Sequence, residues 1–144
     1  MGYPPQGTGG ALRPQRWESI ISDQVLAHDP TTYSEFVTAW TEKKRVRINF
    51  SGKIRTTFEM WTKDGVSAQE ARIFRNGAAY SDVASTLSTS PVSFTLDTGG
   101  WVPGDVYSFR QHAVNYGYTG YTRNWRLCGT LFALFDSAPF NIEL

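Results

Sequence analysis

The feature that most restricts the fold of this chain is a period of two. In "RVRINF", Val46, Ile48 and Phe50 alternate with Arg45, Arg47 and Asn49, and after a break at Gly52 "KIRTTFEM" alternates again through Ile54, Phe58 and Met60. Successive side chains of a strand point to opposite faces, so each run describes a strand with one buried and one wet face. "ARIFRNGAAY" sets Asn76-Gly77 between two such runs. A type I′ hairpin turn needs positive φ at both central positions, which Asn and Gly accept. "VSFTL" places Val92, Phe94 and Leu96 on one face, and "TGGWVPGDVYSF" turns through Gly99, Gly100, Pro103 and Gly104 before a strand from Val106. The last third, "NYGYTGYTRNWRLCGTLFALF", reads as a glycine-tyrosine loop and then a long strand with a bulge at Gly129.

Short strands, frequent turns and no helical spacers predict an all-β antiparallel sandwich or jelly roll of about 8–9 strands. One segment is ambiguous. "RWESIISDQVLAHD" spaces Trp17, Ile20, Ile21 and Leu26 loosely enough for a helix or for an extended crossing strand. No internal repeat is present. The expected organisation is an extended N-terminal arm over residues 1–16, a connecting segment over 17–32 and the β body over 33–144.

The arm rests on composition. "MGYPPQGTGGALRPQRW" holds three prolines and four glycines in seventeen residues. Proline lacks the donor N–H and glycine loses the most entropy on ordering, so this stretch forms neither helix nor central strand. An arm of this kind orders against a partner, because contacts must offset the roughly 1–2 kcal/mol of backbone entropy lost per residue. Tyr3, Leu12 and Trp17 are its candidate buried groups, Pro4 and Pro5 lower the ordering cost, and Arg13 and Arg16 suit partner carboxylates at the rim.

Bulk properties exclude several function classes. Fourteen basic and thirteen acidic residues leave a net charge of +1, which gives no global pull towards nucleic acid or anionic membranes. A local cluster, "KKRVRINFSGKIR", gathers Lys43, Lys44, Arg45, Arg47, Lys53 and Arg55 without an acid. Its preferred reading is the solvent face of an antiparallel pair, with Glu42 and Glu59 nearby, and no nucleic-acid partner is expected. No apolar run reaches membrane-span length, and the N-terminus has no charged stretch followed by an apolar one. The expectation is therefore synthesis in a cytoplasm, with neither signal peptide nor membrane partner. The single Cys128 excludes an intramolecular disulfide and a cysteine zinc site.

Catalysis finds no assembled motif. His28 and His112 lie outside metal-ligand spacings, and there is no nucleophile elbow, phosphate loop or cysteine signature. The carboxylate pairs Glu59/Glu70 and Asp97/Asp105 read as solvated turn residues. The chain is expected to be no enzyme, with no catalytic residue, metal or cofactor. A binding reading rests on "NYGYTGYTRNW", where Tyr116, Tyr118 and Tyr121 on a glycine-rich loop form a candidate ligand loop for sugar stacking, although packing or protein contact is the preferred reading of them.

The segments "RINFSGKIRTTFEMWT", "ARIFRNGAAY", "FTLDTGGWVPGDVYSFRQ" and "YTRNWRLCG", in that order, resemble a small β-sandwich domain of virion proteins in tailed bacteriophages and their prophage relatives. The resemblance covers about residues 33 to 129. Its most specific pieces are Arg72–Gly77, the Trp101–Pro103–Gly104–Asp105 turn, and Arg123–Asn124–Trp125–Arg126 before Gly129. "GDVYSFRQ" and "GTLFALF" also look like the closing strands of trimeric jelly rolls of the complement-C1q and tumour-necrosis-factor type. The resemblance implies a structural or adhesive virion role with no cofactor. Fibre proteins of this kind carry a stalk that is missing from this sequence, which tilts the expectation towards a capsid decoration or cement protein. Its partner would be the major capsid protein or another virion protein. The alternatives are a tail-tip or fibre-type adhesin binding a host glycan, and a C1q-like binding module, which the missing signal peptide disfavours. Self-association as a trimer is expected, with Tyr107, Trp125 and Phe132 as exposed aromatics for an interface to cover.

Overall fold

The computed structural model describes residues 14–135. Within them the chain forms ten strands and no helix: β1 (Pro14–Asp29), β2 (Tyr33–Glu35), β3 (Thr41–Arg47), β4 (Ser51–Thr62), β5 (Gln69–Arg75), β6 (Ala78–Ala79), β7 (Ala84–Thr86), β8 (Val92–Trp101), β9 (Val106–Ala113) and β10 (Gly120–Phe135). One sheet runs β2-β10-β1-β4-β8 and the other β3-β9-β5-β6, with β7 also paired to β5. The count exceeds the expected eight or nine because β2, β6 and β7 are only two or three residues long.

The alternation read from the sequence is the burial pattern of the protein. Along β4, Ile54, Thr56, Phe58, Met60 and Thr62 are buried, whereas Arg55, Thr57, Glu59 and Trp61 face outward. The inward groups join Ile48, Ile73, Trp101, Tyr107, Phe109, Trp125 and Leu127 in one core. Removing each large apolar side chain from water contributes about 1.5–3 kcal/mol. The Asn76-Gly77 turn is also as expected, with φ of 50° and 84°, and it joins β5 to β6.

Two buried polar networks tie the sheets together. The Tyr107 hydroxyl on β9 lies 2.7 Å from Thr56 Oγ1 of β4 and accepts the indole N–H of Trp125 on β10 at 3.1 Å. Further along, Thr122 donates to Gln111 Oε1, Gln111 donates to Gln69 Oε1, and Gln69 donates to the carbonyls of Glu35 and Tyr118. The expectation that Tyr107 and Trp125 are exposed for an interface is corrected here, since they are 0% and 3% exposed. An aromatic with a polar tip is free to lie inside when that tip finds a partner, and each of these two does.

Residues 17–32, expected to connect arm and body, contain most of β1, which is paired into the first sheet, so the ambiguous segment is strand. The pairing carries an unusual feature. Near its C-terminal end β1 lies on one edge of β10, with His28 opposite Arg126 while Arg126 also faces Thr57 of β4; there β10 is the middle strand. Near the other end Glu18 and Ser19 face both Phe132 and Leu131 of β10 and Ser51 and Gly52 of β4, so β1 is the middle strand. The two strands exchange places between these points, where the register breaks between Ile20 and Val25. Gly129 sits at the exchange, and a Cβ there would collide with Ser19 Oγ. The break expected at Gly52 falls where β4 begins, after β3 has ended at Arg47, and the β4–β8 register shifts between Gly52 and Ile54. Gly52 has φ of 113°, and a Cβ on it would strike the Ser19 carbonyl oxygen. The crossing also leaves Ser19 Oγ buried without a hydrogen-bond partner among the described residues.

This geometry predicts opposite responses at touching positions. Gly129→Ala should lower stability by about 1–3 kcal/mol through overpacking. Ser19→Ala, which removes an unsatisfied hydroxyl, should be neutral or stabilising. Denaturant unfolding of both variants checks the pair, and a destabilising Ser19→Ala would contradict the crossing as described.

Candidate functional site

Three surfaces gather side chains whose exposure the core does not explain. The first is the ribbon beyond the crossing. Past the contact with Ser51, β1 and β10 pair only with each other among the described residues, from Pro14 opposite Phe135 to Trp17 opposite Ala133. Trp17 of this ribbon is 46% exposed, and at its base, where β1 lies between β10 and β4, Ile20 and Phe132 are 50% and 40% exposed. A two-stranded ribbon is marginal in water by itself, and open strand edges are templates for pairing. Of the expected arm residues, Arg16 and Trp17 lie on this ribbon, both exposed. Tyr3, Pro4, Pro5, Leu12 and Arg13 fall outside the described residues.

The second surface lies at the opposite end of β4, whose twelve residues span about 40 Å at ~3.3 Å per residue. Loops 36–40, 63–68, 87–91 and 114–119 are joined there by backbone bonds, among them Gly117 N–H to the Phe36 carbonyl, Val114 to Ala68, Lys63 to Thr119 and Thr62 to Ser88. Loop 36–40 is held further by His112, whose ring stacks on Trp40 at 3.8 Å and bridges the Thr38 carbonyl and Glu70. The tip exposes Phe36, Val66, Leu87, Val114 and Tyr116, and Tyr116 meets Phe36 edge-on at 5.8 Å.

The three tyrosines of the candidate ligand loop do not share a face. Tyr116 and Tyr118 belong to this tip, whereas Tyr121 is on β10 directly opposite Trp61, with the two rings stacked at 5.3 Å.

The third surface is the outer face of β8, β4 and β10. Glu59 accepts from Arg123 Nε at 2.6 Å on one oxygen and from Asn124 Nδ2 at 3.3 Å on the other. Asn124 has φ of 54°, within the register break between Arg123 and Arg126. Bulges of this kind re-aim side chains. Thr57, Glu59, Ser93, Thr95, Asn124 and Arg126 line a hollow of about 160 Å³. Among the described residues Arg126 has no carboxylate partner. The outward half of the "TTFEMW" alternation already names Thr57, Glu59 and Trp61. The register break that brings Asn124 and Arg126 alongside them has no sequence signature.

The basic cluster is largely committed to the protein's own acids. Lys43 pairs with Glu35 at 2.8 Å, Lys44 with Asp29 at 2.9 Å, Arg45 with Glu42 at 3.0 Å, and Arg55 with both Asp97 and Asp23. Glu59 serves Arg123 rather than this cluster. Asp105, expected as a solvated turn residue, is buried; it accepts from Asn76 and the Val102 N–H and pairs with Arg75 at 2.9 Å. The two histidines lie in different sheets, and no group of three or more metal-ligating side chains gathers among the described residues.

Hydrogen bonds from Thr31 and Tyr33, with Lys44 beside them, hold Asp29 far below the ordinary carboxylate range. Burial pushes Glu35 and Asp105 up, yet their donors outweigh it and both end below their usual values: Lys43 and two backbone N–H groups for Glu35; Asn76, Val102 and Arg75 for Asp105. Arg123 does the same for Glu59 against a smaller burial effect.

No protein-family model matches this chain, and a search of curated proteins gives no significant match.

The carboxylate shifts fix the sign of the acid response. A depressed folded-state pKa adds stability that is complete above the unfolded value, near 4, and is lost as pH falls through the folded value. The melting temperature should therefore be flat from neutrality to about pH 5 and drop progressively below about pH 4. Asp105→Asn should be less stable at pH 7 and show a shallower acid slope. Circular-dichroism melts across pH check this, and a wild-type curve with no acid slope would contradict it.

Proposed function

We propose that this chain is a bacteriophage virion structural protein, a capsid decoration or cement protein held on the particle through its N-terminal arm and the ribbon that continues from it. The observation that carries the reading is the polarity of the body. At one end β1 and β10 leave the sheet as a ribbon bearing Trp17, with Ile20 and Phe132 exposed at its base. At the other end lie the loops with Tyr116 and Phe36.

In this reading the body is a jelly roll, a view supported by pairing that is antiparallel everywhere among the described strands except β1–β4 and by β1 and β10 lying side by side. It stands on the shell with the ribbon end inward, and residues 1–13 run across the major capsid protein or another virion protein. Fully extended, a segment of that length reaches about 40 Å at roughly 3.3 Å per residue. Assembly takes place in the host cytoplasm, and the mature location is the virion. No catalysis, metal or cofactor belongs to this role. A trimer remains part of the proposal, and it now rests on the apolar groups of the ribbon in place of Tyr107 and Trp125.

A second reading, a tail-tip or fibre-type adhesin for a host surface glycan, is favoured by one feature. Tyr116 is 71% exposed at the loop tip beside Phe36 at 47%, two large aromatics presented together on loops held by a rigid scaffold. Copy number separates the two, since a decoration protein is present in hundreds of copies per particle and an adhesin in a few to a few dozen.

Deleting residues 2–13, which precede β1, should leave the melting transition of the body unchanged and strip the protein from particles. Trp17→Ala combined with Phe132→Ala should weaken decoration by at least tenfold, the equivalent of about 1.4 kcal/mol. Occupancy on purified particles is the readout, and full occupancy by the truncated chain would overturn the anchor.

A further inference from the structure

We infer that the hollow on the outer face of β8, β4 and β10 is a saccharide site, in which Glu59 and Arg126 hold the vicinal hydroxyls of one neutral sugar ring. It stands apart from the arm and from the loop tip, and it applies to a decoration protein and an adhesin alike.

The argument begins with which polar groups are occupied. Glu59 is fixed by Arg123 and Asn124, one donor on each oxygen, so it stays ionised and aimed while each oxygen keeps an acceptor position free. Across the hollow, Arg126 is half-buried, and its guanidinium donates to no group among the described residues. The hydroxyls of Ser93 and Thr95 on β8 line the same wall and are likewise uncommitted among the described residues. Fixed acceptors, free donors and hydroxyls within one depression suit a ligand whose groups both donate and accept, and adjacent sugar hydroxyls do both.

Charge narrows the choice. Arg123 stands beside the hollow and is spent on Glu59, as Arg55 is spent on Asp97, two residues along β8 from Thr95. An incoming carboxylate or phosphate would meet Glu59 directly. A neutral ring pays no such penalty.

Volume and surroundings agree. A hollow of about 160 Å³ has room for several waters, which one pyranose ring would displace. Beside Glu59 on the same face, Tyr121 stacks on Trp61, and the Arg123 guanidinium lies over the Trp61 ring at 5.1 Å. Asn124 adopts positive φ where glycine is the easier residue, and its side chain is thereby brought onto Glu59.

The test is a ¹H–¹⁵N titration of the full chain with lactose, maltotriose and chitotriose, with sialyllactose as the anionic arm. Shifts should concentrate at Ser93, Thr95, Asn124 and Arg126 with at least one neutral sugar. Arg126→Gln should weaken that binding roughly tenfold, as expected for loss of a charge-assisted hydrogen bond, without moving resonances in the other sheet. Thr95→Val should weaken it by a smaller factor. Four outcomes would overturn the inference: no shifts with any of the neutral sugars, shifts confined to Tyr116 and Tyr118, Arg126→Gln binding as well as wild type, or sialyllactose binding more than tenfold tighter than lactose. None of them bears on whether the arm anchors the protein.

Discussion

The exchange of β1 and β10 at Gly129 is the constraint on which the rest of this architecture depends. A strand normally keeps its neighbours along its length, because changing them means abandoning one ladder for another. Here the change is possible because residue 129 has no side chain and Gly52 lets the Ser19 backbone approach β4 closely. The crossing converts β1 from an outer neighbour of β10 into a strand between β10 and β4. It also brings the first and last strands out of the sheet together.

A body that commits its two end strands to a ribbon needs another source of cohesion between its sheets. The Tyr107 hydroxyl, shared with Thr56 and Trp125, and the Gln69–Gln111–Thr122 chain fill that need. Both are buried polar networks whose members all find partners, an arrangement that favours one packing over its near neighbours. Gly120 belongs to the second network in a negative sense. A Cβ there would occupy the space of the Gln69 side chain, so the glycine keeps the glutamine inside. The turns are fixed in a similar way, with Asn76 bonded to both Asp105 and the Val106 N–H, so that the β5–β6 hairpin and the β8–β9 turn position each other.

How much of this was legible depended on whether the determining contact was local. The strands from Arg45 to Met60 and the Asn76-Gly77 hairpin follow from period two and turn chemistry, both of which operate within a few residues. The segment from Trp17 to Leu26 stayed ambiguous because it crosses another strand in its middle, and the alternation resets across Ile21–Gln24. Tyr107 and Trp125 read as exposed aromatics because their hydrogen-bond partners are distant in sequence, Thr56 in one case and each other in the second. The groove was half visible: Thr57, Glu59 and Trp61 fall on one face by alternation, but Asn124 and Arg126 join them through a register break. The apolar ribbon was foreshadowed at Trp17 and Phe132. The arm residues before Pro14 lie outside the described part of the chain.

The proposed function fixes a direction: the ribbon end would face the particle and the loop tip away from it. Subnanometre electron cryomicroscopy of the particle carrying this protein measures that orientation directly. The claim predicts density for the β1–β10 ribbon, with Trp17 and Phe132, against the shell and loop 114–119 at the greatest radius. A body seated with loop 114–119 on the shell and the ribbon pointing into solvent would contradict it.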